Sequence, residues 1–205
     1  MILDAALLTV PEIECAQKLV DAGVRLLQYR NKAASARELF ERSKRLSSLL
    51  APQGVTFFVN DRADAAWAAE AGGVHVGQED LGAELARAVI GAGKLLGVST
   101  HNLEQFERAG ASSADYVAIG PVFSTSTKAN PDPVVGLEMI RQIRPLTNKP
   151  IVAIGGITLE RAVDVVKAGA DSVAVISDIL LAPDPAQRAR QYIELLEAAN
   201  HAAAV

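Results

Sequence analysis

Long hydrophobic runs, cysteines and aromatics are all scarce in this 205-residue chain, and each shortage removes a class of function. No uninterrupted apolar stretch approaches the ~20 residues needed to cross a bilayer, so a membrane role is not expected. The single cysteine, Cys15, excludes an internal disulfide framework, and its helical context marks it as a small core residue. Aromatic residues make up 4% of the chain, and Lys+Arg (20) are outnumbered by Asp+Glu (24), for a net charge of −4. A nucleic-acid surface needs a basic face and stacking platforms, so no nucleic-acid partner is expected, and an anionic ligand must be held by local positive charge. The start, Met1-Ile2-Leu3-Asp4, carries an early acid and lacks the basic region of a signal peptide, which leads to the expectation of a soluble, cytoplasmic protein. Charge runs and Pro/Gly-rich linkers are also missing, and with half its residues hydrophobic the chain reads as one domain over residues 1–205. Whether copies form a homo-oligomer is left open.

What is present is an alternation of short apolar runs with longer amphipathic ones. Strands are expected at Ile2 to Thr9, Leu26 to Tyr29, Thr56 to Asn60, Gly73 to Val76, Leu95 to Ser99, Tyr116 to Ile119, Ile151 to Ile154 and Ser172 to Ile176. Helical patterns lie between them. Ala36 to Leu50 opens with a capping box, Ser35 and Glu38; Thr158 is placed to cap Thr158 to Ala168, with Arg161 facing solvent; Pro185 to Ala199 closes the chain. An Ala-Gly pair recurs between helix and strand at Ala22-Gly23, Ala71-Gly72, Ala109-Gly110 and Ala168-Gly169, where glycine would supply a left-handed helix cap. Strands apolar on both faces, such as Ile151-Val152-Ala153-Ile154, suit a parallel sheet covered by helices. Eight such units fit an α/β fold of the (β/α)8 TIM-barrel kind, compact and with short loops. A doubly wound open sheet is the alternative, although the chain lacks the Gly-x-Gly-x-x-Gly turn of its dinucleotide-binding version.

Polar residues cluster at the strand C-termini: Gln28-Tyr29-Arg30-Asn31-Lys32, Asn60-Asp61-Arg62, Gly77-Gln78-Glu79-Asp80, Ser99-Thr100-His101-Asn102, Gly155-Gly156 and Ser177. Small and apolar residues dominate the opposite ends, an asymmetry that points to one site on the C-terminal rim of a barrel. After the sixth strand, Gly120-Pro121-Val122-Phe123-Ser124-Thr125-Ser126-Thr127-Lys128 is small, hydroxyl-rich and cationic at its end. Such a loop can donate backbone and hydroxyl hydrogen bonds to anionic oxygens, or be a solvated turn. Arg30 and Lys32, one residue apart, would face one side of a continuing strand and suit a pyrophosphate; a solvated charge pair is the other reading. Asp61 and Asp80 could cap the helices that follow them, or share a hard cation such as Mg²⁺. Gly155-Gly156 and the short turn from Ser177 to Leu181 occupy the usual phosphate position of the fold. His75, His101 and His201 read as structural or incidental, with His101 the one worth a mutation.

Taken in order, Gln28-Tyr29-Arg30-Asn31-Lys32, Asn60-Asp61-Arg62, Gly73-Val74-His75-Val76-Gly77-Gln78-Glu79-Asp80-Leu81, Gly97-Val98-Ser99, Gly120-Pro121-Val122-Phe123 with Thr125, Thr127 and Lys128, Ala153-Ile154-Gly155-Gly156-Ile157 and Val175-Ile176-Ser177 resemble the thiamine-phosphate synthase family over nearly the whole chain. The resemblance implies a (β/α)8 transferase that joins an aminopyrimidine methyl pyrophosphate to a thiazole phosphate, two small phosphorylated substrates, and releases pyrophosphate. It assigns Gln28, Arg30, Lys32, Asn60, Ser99 and Lys128 to the pyrimidine pyrophosphate, with Lys128, Arg30, Lys32 and Ser99 catalytic. It assigns Thr125, Thr127, Gly156, Ile176 and Ser177 to the thiazole phosphate, and Asp61 and Asp80 to Mg²⁺. Thr125, Thr127 and Lys128 would meet both substrates. Two departures stand out: Tyr29 replaces a more usual aliphatic residue, which would alter packing beneath the pyrophosphate, and the first strand lacks the Thr-Asp ending common in the family. Two other readings remain. A related barrel that isomerises a thiazole phosphate would carry a catalytic histidine near the 120–128 loop, and a binding module would have lost the pyrophosphate residues.

Overall fold

Eight parallel strands follow one another around a barrel in chain order, β1 beside β2 through to β8, in a computed structural model that describes residues 1–125, 127 and 132–203, with side chains to 199. The strands are β1 (Ile2–Asp4), β2 (Leu26–Arg30), β3 (Thr56–Asn60), β4 (Gly73–Val76), β5 (Leu95–Thr100), β6 (Tyr116–Ile119), β7 (Ile151–Ile154) and β8 (Ser172–Ala174). The helices around them are α1 (Glu12–Asp21), α2 (Ala36–Leu50), α3 (Ala63–Ala68), α4 (Ala83–Ile90), α5 (Leu103–Ala111), α6 (Gly136–Ile143), α7 (Leu159–Lys167), the short α8 (Ser177–Leu180) and α9 (Pro185–Ala203). The Ile2 N–H donates to the Val175 carbonyl at 3.1 Å, which links β1 to the residue after β8 and brings the sheet round on itself. No helix among the described residues is long and apolar enough to cross a membrane.

Local sequence accounts for the elements. In α2 the Ser35 hydroxyl accepts from the Glu38 amide while the Glu38 carboxylate accepts from the Ser35 amide, and Leu39, Leu46 and Leu50 are buried on one stripe. All four residues of β4 are buried, as expected of a strand covered by helices outside and side chains inside. The barrel interior is filled towards the strand N-termini by two aromatic rings, Phe58 and Tyr116, edge to face at 5.7 Å. Glycines on the intervening strands make the space. A Cβ on Gly73 would lie 2.5 Å from the Phe58 ring, and one on Gly97 would lie 2.1 Å from Tyr116 Cζ. These rings form the floor beneath the C-terminal rim.

Several expected boundaries shift. The first strand stops at Asp4 instead of Thr9, because the Asp4 carboxylate accepts from the Ala6 amide at 3.0 Å and turns the chain into a single 3-10 turn, Ala5–Leu7. The strand therefore does end on an acid, with Leu3 where threonine was expected. β8 stops at Ala174, short of Ile176, and α9 extends to Ala203. Of the four Ala-Gly pairs, Gly23 (φ 105°) and Gly169 (φ 115°) take the left-handed cap, but after α3 that conformation falls on Glu70 (φ 55°), and Gly110 lies inside α5. Gly72 serves a different need: a Cβ there would press 3.2 Å from the Phe57 carbonyl oxygen. Thr158 holds the N-cap position of α7 without a side-chain hydrogen bond to a backbone amide of its first turn. Tyr29 is fully buried, and its hydroxyl accepts from the Asn31 amide at 3.1 Å. It packs in the apolar cluster with Leu39 and Leu46 and does not line the rim cavity.

Candidate active site at the C-terminal rim

A cavity of about 380 Å³ opens at the C-terminal ends of the strands, within the size range of small-molecule sites. Its lining includes Gln28, Arg30, Lys32, Asn60, Asp61, Asp80, Ser99, Thr125, Thr127, Gly156, Ile176 and Ser177, every described residue that the sequence singled out for ligand or metal binding. Lys128 lies outside the described residues. The barrel brings these positions together because each strand delivers its last residues to the same rim, however far apart they are in sequence.

The β2 to β4 side is built from charged side chains. Arg30 ends β2 and donates to the buried carboxylate of Asp4, while Lys32, in the turn beyond, pairs with Asp61. The two cations reach one cavity, although Lys32 does not continue the strand as the alternation from Arg30 required. Asp61 takes a left-handed backbone (φ 65°), and its N–H donates to the His75 carbonyl at 2.7 Å, which ties the end of β3 to β4. Neither acid is a helix cap. The N-cap of α3 is Arg62 and that of α4 is Gly82, both without side-chain cap bonds, and the Asp80 carboxylate instead accepts from the Gly77 amide at 2.8 Å. Burial holds the Asp80 carboxyl above its usual range, helped by the adjacent Asp61 carboxylate. Two apposed carboxylates under a cationic rim are a donor set that suits Mg²⁺, which takes one or two carboxylates and completes its shell with water and phosphate oxygens. No cluster of three or more His, Cys, Asp or Glu able to hold a metal alone occurs among the described residues. Gln28 is 6% exposed, yet neither its amide nor that of Asn60 has a side-chain hydrogen bond to another described residue. Both are available to a ligand.

The β6 to β8 side is built from backbone. Gly155 (φ 99°) and Gly156 (φ 61°) need glycine twice over, for the left-handed conformation and for space: a Cβ on Gly155 would lie 2.5 Å from Pro121, and one on Gly156 2.3 Å from the Ser124 carbonyl oxygen. Close approach lets the Val122 and Phe123 amides donate to Ile154 and Gly155 carbonyls at 2.8 and 3.0 Å, which stitches the loop after β6 to the loop after β7. On the stitched loop, the Thr127 amide donates to the Thr125 hydroxyl at 3.3 Å. Arg161 covers the outside, with its guanidinium 4.7 Å from the Phe123 ring centroid and a 2.9 Å bond to the Gly156 carbonyl. α8 starts at Ser177, and the first amides of a helix lack intrahelical acceptors. Tyr192 from α9 steadies it, donating to the Asp178 carboxylate at 2.8 Å.

Sequence reasoning missed Asp4, His75 and Tyr116 here, and marked His101 only as worth a mutation. Asp4 was absorbed into an apolar run, although an acid within such a run, 2% exposed in the fold, was itself a signal. His75 is not incidental: it lines the cavity, with Nε2 2.8 Å from the Ser99 hydroxyl and Nδ1 2.8 Å from the Tyr116 hydroxyl. Burial pushes its imidazole down to about 4, so the ring is neutral near pH 7, and burial raises the Tyr116 phenol. His101 lines the cavity too, with Nδ1 2.5 Å from the Gly120 carbonyl and Nε2 3.4 Å from Asp132. Nothing in the local sequence marked Tyr116, whose partner is 41 positions away.

A sequence model of the family described as thiamine monophosphate synthase matches residues 1–179. A thiamine-phosphate synthase of Koribacter versatilis is 55% identical over 181 residues, covering 88% of this chain and 84% of that protein. One of Chloroflexus aurantiacus is 47% identical over 169 residues, covering 82% and 78%. Among solved structures, a thiamine phosphate pyrophosphorylase from Pyrococcus furiosus superposes with a TM-score of 0.87 at 35% identity, covering 97% of this chain and 95% of that one.

Proposed function

The chain belongs to the thiamine monophosphate synthase family and is an enzyme of thiamine phosphate formation, and we propose that it works by displacing pyrophosphate from an aminopyrimidine methyl pyrophosphate with the ring nitrogen of a thiazole phosphate. The observation that carries this reading is the single cavity lined by cations and paired carboxylates on one side and by glycine backbone and hydroxyls on the other. The two sides match the two phosphorylated ends of such a substrate pair.

In this reading, Arg30, Lys32 and Lys128 hold the pyrophosphate and meet the negative charge that grows on it as the C–O bond breaks. The amides of Gln28 and Asn60 and the Ser99 hydroxyl fix the pyrimidine pyrophosphate. Asp61 and Asp80 would hold Mg²⁺, which when bound lends further positive charge to the leaving group. The electron-rich aminopyrimidine stabilises the methylene cation left behind. Thr125, Thr127, Gly156, Ile176 and Ser177 hold the thiazole phosphate so that its nitrogen lone pair faces that carbon. The nitrogen attacks with electrons it already has, so no general base is needed, and the protein's work is alignment and the exclusion of water. Incubation of purified protein with both substrates, with and without Mg²⁺, tests this by mass spectrometry. Thiamine phosphate and pyrophosphate are expected with Mg²⁺ present; folded protein that makes neither would overturn the reading.

A further inference from the structure

We propose that His75 and Tyr116 form a proton-ordering relay that fixes the Ser99 hydroxyl as a hydrogen-bond donor into the cavity, making both of them positioning residues for whatever anionic oxygen binds beside Ser99. The identity of that oxygen, on a pyrophosphate, rests on the function proposed above; the relay does not.

The three side chains come from adjacent strands: His75 on β4, Ser99 on β5 and Tyr116 on β6. The imidazole stands between two hydroxyls, with Nδ1 2.8 Å from Tyr116 and Nε2 2.8 Å from Ser99, and it stacks on the Tyr116 ring at 5.5 Å between centroids, 28° from parallel. The phenol decides which nitrogen carries the proton. Tyr116 is at the floor of the barrel against Phe58, and among the described residues the one acceptor within reach of its hydroxyl hydrogen is His75 Nδ1. A proton on Nδ1 would make the ring a donor there and leave the phenol hydrogen without a partner, at a cost of about 1–3 kcal/mol. A doubly protonated ring would orphan the same hydrogen. Tyr116 therefore donates to Nδ1, the ring carries its hydrogen on Nε2, and Nε2 donates to Ser99 Oγ. With that lone pair engaged, the serine hydrogen turns towards the cavity that Ser99 lines.

A second observation, independent of the tautomer, is Gly97. A Cβ there would lie 2.1 Å from Tyr116 Cζ, 2.3 Å from its hydroxyl oxygen and 2.5 Å from His75 Nδ1. β5 has no side chain at the one point where the β4 to β6 contact must pass in front of it. The consequence is chemical: a phosphate oxygen accepts and does not donate, so a serine free to donate back to the histidine would spend part of its time with a lone pair facing the anion.

The test reads the tautomer directly. In ligand-free protein labelled with ¹⁵N-histidine, long-range ¹H–¹⁵N spectra near pH 7 should show His75 as the Nε2–H tautomer, its signals identified by their loss in His75→Gln. A predominant Nδ1–H tautomer or imidazolium would overturn the relay. Tyr116→Phe, which removes the donor to Nδ1, should lower kcat about tenfold, the worth of one hydrogen bond, with KM changed less than about twofold. His75→Gln, whose amide can still donate to Ser99, should keep more activity than His75→Leu; equal activity in both would overturn the positioning role. The spectrum needs no turnover, so failure to make thiamine phosphate would overturn the proposed function and leave the relay to be decided by the spectrum.

Discussion

Across the cavity, the β2 to β4 rim presents charge on side chains, whereas the β6 to β8 rim presents polarity on backbone and hydroxyls. Arg30 is held by Asp4 and Lys32 by Asp61, so each cation on the first side is already oriented by a carboxylate before a ligand arrives. Gly155 and Gly156 on the second side carry no charge, and their shape follows from contact with Pro121, Phe123 and Ser124. The difference fits the chemical demand. In the proposed reaction a leaving pyrophosphate gains charge and needs strong, preorganised donors and a cation, while a phosphate that is only a handle needs a fixed cradle. It also predicts that the two sides fail differently: charge removal on the first should reduce turnover, and a shape change on the second should reduce affinity for one substrate.

The largest expected effect is on the charged side. Asp61→Asn keeps a residue that tolerates the left-handed backbone at this position while removing the carboxylate, so the fold should survive. With Asp61 holding Mg²⁺ as proposed, loss of its charge is worth several kcal/mol, and kcat at limiting Mg²⁺ should fall on the order of a thousandfold. Steady-state assays across a Mg²⁺ titration check this; unchanged turnover at limiting metal would show that Asp61 serves only Lys32. Gly156→Ala is the matching break on the backbone side, and it should be smaller. The added methyl meets Ser124 O and Phe123 in a conformation that alanine resists. About 2 kcal/mol of strain at the cradle should raise KM for the thiazole phosphate roughly thirtyfold and leave KM for the pyrimidine pyrophosphate alone. A loss shared equally between both substrates would remove the division of labour.

The same contrast governs how much could be read from the sequence. Alternation of apolar runs and helical patterns was enough for eight strands in order, since a parallel barrel imposes one local rule on every unit. Polar residues at or just past the strand ends, such as Asn60-Asp61 and Gln28 with Arg30, were legible because the strand end places them on the rim. Three things were not legible. Asp4 stops β1 by accepting from the Ala6 amide, a local capping competition that apolar periodicity does not report. The left-handed turn after α3 went to Glu70 because that helix ends earlier than its neighbouring glycine suggested. Tyr116 and His75 become partners only when β4 and β6 flank a glycine on β5, a fact of barrel closure with no trace in either local segment.

The smallest expected effect sharpens the comparison at a charge that lies outside the backbone cradle. Arg161 is exposed on α7, where the sequence placed it in solvent, yet its guanidinium covers Phe123 at 4.7 Å and donates to the Gly156 carbonyl at 2.9 Å. Because it grips the cradle from outside and is absent from the cavity lining, it acts on the shape of the loops without contributing charge to the phosphate. An exposed cation over an aromatic face is worth about 0.5–1 kcal/mol, so Arg161→Ala should lower stability by about that amount in a urea titration and raise KM for the thiazole phosphate by no more than about fivefold. Arg161→Lys separates the two contacts: it keeps the cation over Phe123 but lacks the planar fork that reaches the carbonyl. If stability returns with lysine while KM does not, the carbonyl contact sets the cradle and the ring contact only anchors the loop. A large fall in kcat in either variant would mean that the backbone side also takes part in the charge-bearing step, and the division drawn between the two rims would fail.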